Sequence, residues 1–176
     1  MNLSSIVKTA AFCALLLTAP AFAQTVEVTQ NMNFGTVSLT DNASQRQIAF
    51  QTNGTATADP QYYFIDSAVI GQVDVTDFPA GVDLIISITP DPATLNGPGN
   101  TGTFSIDDYF IVSQGNNFTV PATINTPDGT EIFYVGAILR SQAGAAYNDS
   151  NFTTQITVQV ECDENGPNGI LCDVTP

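Results

Sequence analysis

Apolar and polar residues alternate with a period of two along most of the chain, the spacing of strands that bury one face. Val26 and Val28 alternate with Thr25, Glu27 and Thr29. Met32, Phe34 and Val37 carry that edge past Gly35, where a bulge or bend is expected. Ile48 and Phe50 form a short strand after the polar loop Asp41–Arg46, and Val69, Val73 and Val75 mark another around Gly71. Val82, Leu84, Ile86 and Ile88 make a clean alternating strand between the turn Pro79-Ala80-Gly81 and the break Pro90-Asp91-Pro92.

The second half keeps the rhythm. Phe104, Ile106, Tyr109 and Ile111 define a strand over 103–112 that the pair Asp107-Asp108 interrupts. A shorter strand over 118–124 carries Pro121, which predicts an edge position or a break. After the turn Pro127-Asp128-Gly129, the segment 131–139 is apolar on both faces and reads as a central strand covered on both sides. Phe152, Thr154, Ile156, Val158 and Val160 then point one way, with Thr153, Gln155, Thr157 and Gln159 opposite. No stretch sustains a helical period. Roughly eight or nine strands between turn signals predict an all-β fold, an immunoglobulin-like antiparallel β-sandwich. Residues 91–102, rich in Gly, Pro and Asn, read as an exposed loop.

The N-terminal segment departs from this pattern. Residues 1–8 are short and weakly basic, residues 9–19 are apolar up to Pro20, and Ala21-Phe22-Ala23 offers the small-x-small step that signal peptidase recognises. Residues 1–23 are thus expected to be a signal peptide cleaved between Ala23 and Gln24, with residues 24–176 one β-sandwich domain. The apolar run is shorter than the roughly 20 residues of a membrane span. The expected location is the periplasm, cell surface or exterior of a Gram-negative bacterium, with no membrane insertion once the signal is removed.

Export changes the electrostatic picture. Removing Lys8 leaves Arg46 and Arg140 against 17 acids, a formal charge of −15. Such a surface repels phosphate backbones and anionic lipids, which excludes nucleic acid as a natural partner. It also leaves two cysteines, Cys162 and Cys172. In an oxidising compartment they are expected to form one disulfide closing a short C-terminal loop.

Candidate chemistry is sparse. The chain has no His, and its one Lys lies in the leader, so Ser-His-Asp, Cys-His and Lys-based catalysis have no players. Asp107 and Asp108 are adjacent, and neighbours on a regular strand point to opposite faces, so a solvated bulge describes them better than a catalytic pair. The reading is therefore non-enzymatic. No cofactor is expected, with calcium as the one candidate ligand. Asp74, Asp77 and Asp83 lie near one turn, while Asp163, Glu164 and Asp173 flank the cysteine loop. A solvated acidic surface accounts for the same six residues without a metal. Tyr62, Tyr63 and Phe64 form an aromatic run that suits either a sugar-binding face or core packing.

The opening Val26-Glu27-Val28-Thr29-Gln30-Asn31-Met32-Asn33-Phe34-Gly35-Thr36-Val37 resembles that of an uncharacterised family of exported bacterial β-sandwich proteins, in which a strand leads into a Phe-Gly-Thr step. The ending, 143–149 followed by the alternating strand 152–160, also resembles fimbrial and spore-coat-U-like pilin subunits, where a Gly-x-Tyr-x-Asp step precedes the last strand. The resemblance implies a structural or adhesive surface protein, partnered by itself or by other surface subunits; a secreted calcium-dependent, carbohydrate-directed binding module is the alternative. Two features depart from chaperone–usher subunits. Residues 24–33 read as the domain's own first strand rather than a spare donor strand, and the Cys162–Cys172 tail continues where those subunits stop.

Overall fold

The computed structural model describes residues 24–163, which form thirteen strands, all paired antiparallel. The larger sheet is organised around β12 (Glu131–Ser141), whose length lets it serve three neighbours. β9 (Thr103–Ser113) runs along one side of it. On the other side β6 (Gly71–Thr76) takes residues 131–135 and β3 (Gln47–Phe50) takes residues 138–140. β1 (Thr25–Gln30) lies outside β6, and β4 (Ala56–Ala58) lies outside β3. β8 (Ala93–Asn96) and β10 (Asn116–Thr119) share the far side of β9.

A smaller sheet sets β7 (Val82–Thr89) between β11 (Ala122–Thr126) and β13 (Thr157–Cys162), and β2 (Val37–Leu39) pairs with β5 (Tyr62–Phe64) as a separate ladder. Val82, Leu84, Ile86 and Ile88 of the smaller sheet belong to the same buried cluster as Val73, Val75, Ile106, Ile111, Phe133 and Val135 of the larger one. The fold is all-β, two sheets sharing one core as in a sandwich. The expected eight or nine strands become thirteen because β2, β4, β5, β8 and β10 are only three or four residues long.

Three expectations fail for definite physical reasons. The segment 91–102 is not simply a loop: β8 sits within it, with Ala93 and Leu95 buried and Thr94 and Asn96 exposed. The flanking prolines concealed a strand of two inward side chains. The strand over 118–124 does break at Pro121, as expected, giving β10 and β11, which belong to different sheets. β12 is central in its pairing but not covered on both faces. Phe133, Val135, Ala137 and Leu139 point inward, whereas Ile132 and Tyr134 are 43% and 40% exposed. The last apolar alternation becomes ladder only from Thr157; before it, Phe152 packs edge-on to Phe104, 4.8 Å between ring centroids.

Glycine permits one close approach in the middle of the large sheet. Gly136 stands opposite Phe110, and a Cβ there would lie 2.2 Å from the Phe110 ring. The ring fills the space that a side chain would take.

Two buried phenols tie this core to pH. Burial pushes Tyr62 up to about 12, and it does the same to Tyr109, where the negative charges of Asp91 and Asp107 add to the effect. A raised folded-state value favours the neutral phenol. The stability it contributes is therefore complete below the unfolded value of 10.0 and lost as pH rises towards about 12. Denaturant titrations should show stability falling steeply across that window. Replacing both residues with Phe should flatten the fall, and an unchanged slope would contradict the burial assignment.

Candidate protein-binding edge

The structure does not gather the predicted calcium ligands of the 74–83 turn. Asp74 lies on the outer face of β6 and accepts hydrogen bonds from Gln72 Nε2 at 2.8 Å and Thr29 Oγ1 at 3.3 Å. Asp77 follows the strand in a left-handed conformation, φ 64°, and accepts from Thr76 Oγ1. Asp83 is on β7 in the other sheet and accepts from Asn125 Nδ2 at 2.8 Å. Asp163 reaches Asp83 through the backbone, its N–H donating to the Asp83 carbonyl at 2.8 Å. Among the described residues no three acidic or cysteine side chains converge on a point that could hold a metal. Glu164, Asp173 and Cys172 lie outside the described residues, as does Ala23, so the Cys162–Cys172 bridge and the Ala23–Gln24 cleavage step lie there too. Cys162 ends β13.

Asp107 and Asp108 do sit at a bulge, as the broken alternation implies: the β9–β12 register slips between Gly136 and Ile138, and Asp108 has φ 51°. The expectation that their carboxylates diverge is wrong. The bulge cancels the two-residue period and turns both towards Arg140. Arg140 Nε donates to Asp107 Oδ1 at 2.8 Å and Nη2 donates to Asp108 Oδ2 at 2.5 Å, while Nη1 donates to Gln47 Oε1 at 2.8 Å. One guanidinium therefore bridges both acids and pins β9 to β12 and β3. This is a structural clamp.

The aromatic run divides between core and surface. Tyr62 is buried, whereas Tyr63 on the opposite face of β5 is 61% exposed and Phe64 is 39% exposed. A shallow groove of about 440 Å³ opens elsewhere, lined by Ile70, Val112 and Tyr134 together with Asn53 and Gln114.

The feature that sequence reasoning missed is the exposure of β1. It forms where alternation placed it, yet all six residues are exposed. Val26 pairs with Val75 and Val28 with Val73, and directly opposed residues share a face, so both valines point to the core side of the sheet. Val75 and Val73 are 0% and 2% exposed, but Val26 and Val28 are 43% and 55% exposed. Coverage by the second layer thus stops beneath β6. Among the described residues β1 pairs with β6 alone, leaving its other side an open edge from Val26 to Gln30.

Apolar exposure recurs along the segments that continue this pairing. The β1–β6 pairing extends past Gln30, which donates from Nε2 to the Ile70 carbonyl at 2.5 Å, to the Asn33–Val69 bridge. Val69 is exposed, and so are Phe64 and Ile65 just before it. Gly35 lets the two segments close: its φ is 79°, and a Cβ would lie 2.4 Å from the Asp66 carbonyl oxygen. Soluble proteins usually guard edge strands with Lys, Pro or an early bulge. Val26–Val28 carries one charge, Glu27, but neither Lys nor Pro, and the register slips only between Val28 and Gln30. No known protein family and no curated protein matches the chain.

Proposed function

We propose that the chain is an exported, non-enzymatic surface protein, structural or adhesive and similar to fimbrial subunits, that associates with other surface proteins through the edge of its larger sheet. The observation that carries this reading is β1, an open strand whose core-side valines are uncovered. Such an edge supplies main-chain hydrogen bonds to an incoming strand and apolar contacts to its alternate side chains. In the same reading the domain is immunoglobulin-like, the mature chain starts at Gln24, and Cys162 bonds to Cys172 beyond the last strand.

Expression of the full chain in a Gram-negative host tests the premise of export. Intact-mass analysis of the periplasmic and released fractions should give a chain beginning at Gln24. Its two thiols should resist alkylation until reduced. Recovery of cytosolic protein still carrying Met1, or free thiols in the exported protein, would overturn the reading.

A further inference from the structure

We propose that the occupant of the β1 edge is an extended segment of another protein in which apolar residues alternate with Lys or Arg. The inference rests on the strand-docking reading above and deepens it by specifying the partner's chemistry.

The two faces of β1 ask for different side chains. On the core side, Val26 and Val28 continue the row of Val75 and Val73 into solvent. An added strand would set its own apolar side chains beside them and extend the buried layer by one column. On the outer side, Glu27 stands directly opposite Asp74. Like charges at directly opposed positions repel. Among the described residues Asp74 is met by hydrogen bonds from Gln72 and Thr29 but by no cation. A Lys or Arg on the next strand would lie beside Glu27, with Asp74 one strand further in, and would offset part of that repulsion. Alternation follows because successive side chains of the incoming strand face opposite sides.

A second copy of this chain fits less well. Both arginines among the described residues already hold acids: Arg46 reaches Asp41 at 2.9 Å, and Arg140 reaches Asp107 and Asp108. Two-fold pairing of β1 that sets Val26 against Val28 would also set Glu27 against Glu27. The net charge of −14 for the full chain opposes self-association further and favours a basic partner.

The test uses the exported full chain and fluorescent eight-residue peptides alternating Val with Lys, Glu or Ser, read by anisotropy at low and high salt. The Val/Lys peptide should bind at least about tenfold more tightly than the others, and salt should weaken it. In Glu27→Lys the preference should pass to the Val/Glu peptide. Val28→Pro, at an exposed position, should abolish binding while circular dichroism shows the fold retained. Equal binding of Val/Ser and Val/Lys would overturn the basic requirement while leaving edge docking intact. Dimerisation lost in Val28→Pro would replace the partner with a second copy. No binding by any peptide to a monomeric chain would sink both the inference and the strand-docking reading beneath it.

Discussion

Phe133→Ala should destabilise the domain by about 3–5 kcal/mol, the usual cost of truncating a buried aromatic residue. Phe133 is fully buried on β12 and stands across from Val73, so its removal opens a void between the sheets that their ladders prevent from collapsing. A domain of this size has a total stability of about 5–15 kcal/mol. The loss should therefore appear as a large drop in the urea midpoint with little change in slope. Tyr134→Ala, one residue along and on the opposite face, should cost less than about 1 kcal/mol. Equal losses at the two positions would mean that β12 is covered on both sides after all, contrary to the exposure of Ile132 and Tyr134.

The second large effect is expected at the turn joining β11 to β12. Gly129 has φ 79°, and its carbonyl accepts the Phe78 N–H at 3.1 Å. A Cβ at this position would lie 1.9 Å from the Phe78 carbonyl oxygen, so Gly129→Ala must displace backbone rather than a side chain. The left-handed conformation alone costs an L-residue about 1–2 kcal/mol, and moving the 78–79 segment adds to that. Gly115→Ala provides the comparison, since it has a similar φ of 75° and nothing within 4 Å of the added carbon. The difference between the two melting curves isolates the steric contact. If Gly129→Ala is no worse than Gly115→Ala, the close approach of the two turns is wrong.

The elements differ in how much of them the sequence disclosed. Val82 to Ile88 was legible residue by residue, because all four inward side chains are large and the turns on either side are marked by Pro and Gly. β8 was hidden, since Ala93 and Leu95 are a minimal apolar signal inside a stretch dominated by proline and glycine. The Asp107-Asp108 bulge was foreseen as an interruption. Its consequence was not, because a parity rule fails where an extra residue enters the strand, and Arg140 is more than thirty positions away. The expected Cys162–Cys172 bridge and the expected leader rest on spacing and order alone and involve residues outside the described ones.

The candidate edge shows the same division most clearly. Strand formation by residues 25–30 and the shared side of Val26 and Val28 follow from covalent geometry, since a two-residue period is local and needs no partner. Whether that side is buried is not local. It depends on how far the second layer reaches, and the layer is built from residues at positions 82–89, 122–126 and 157–162. Local backbone geometry sets which side chains point together, whereas the packing of the two sheets sets which of those sides are covered, because cover is supplied by strands distant along the chain.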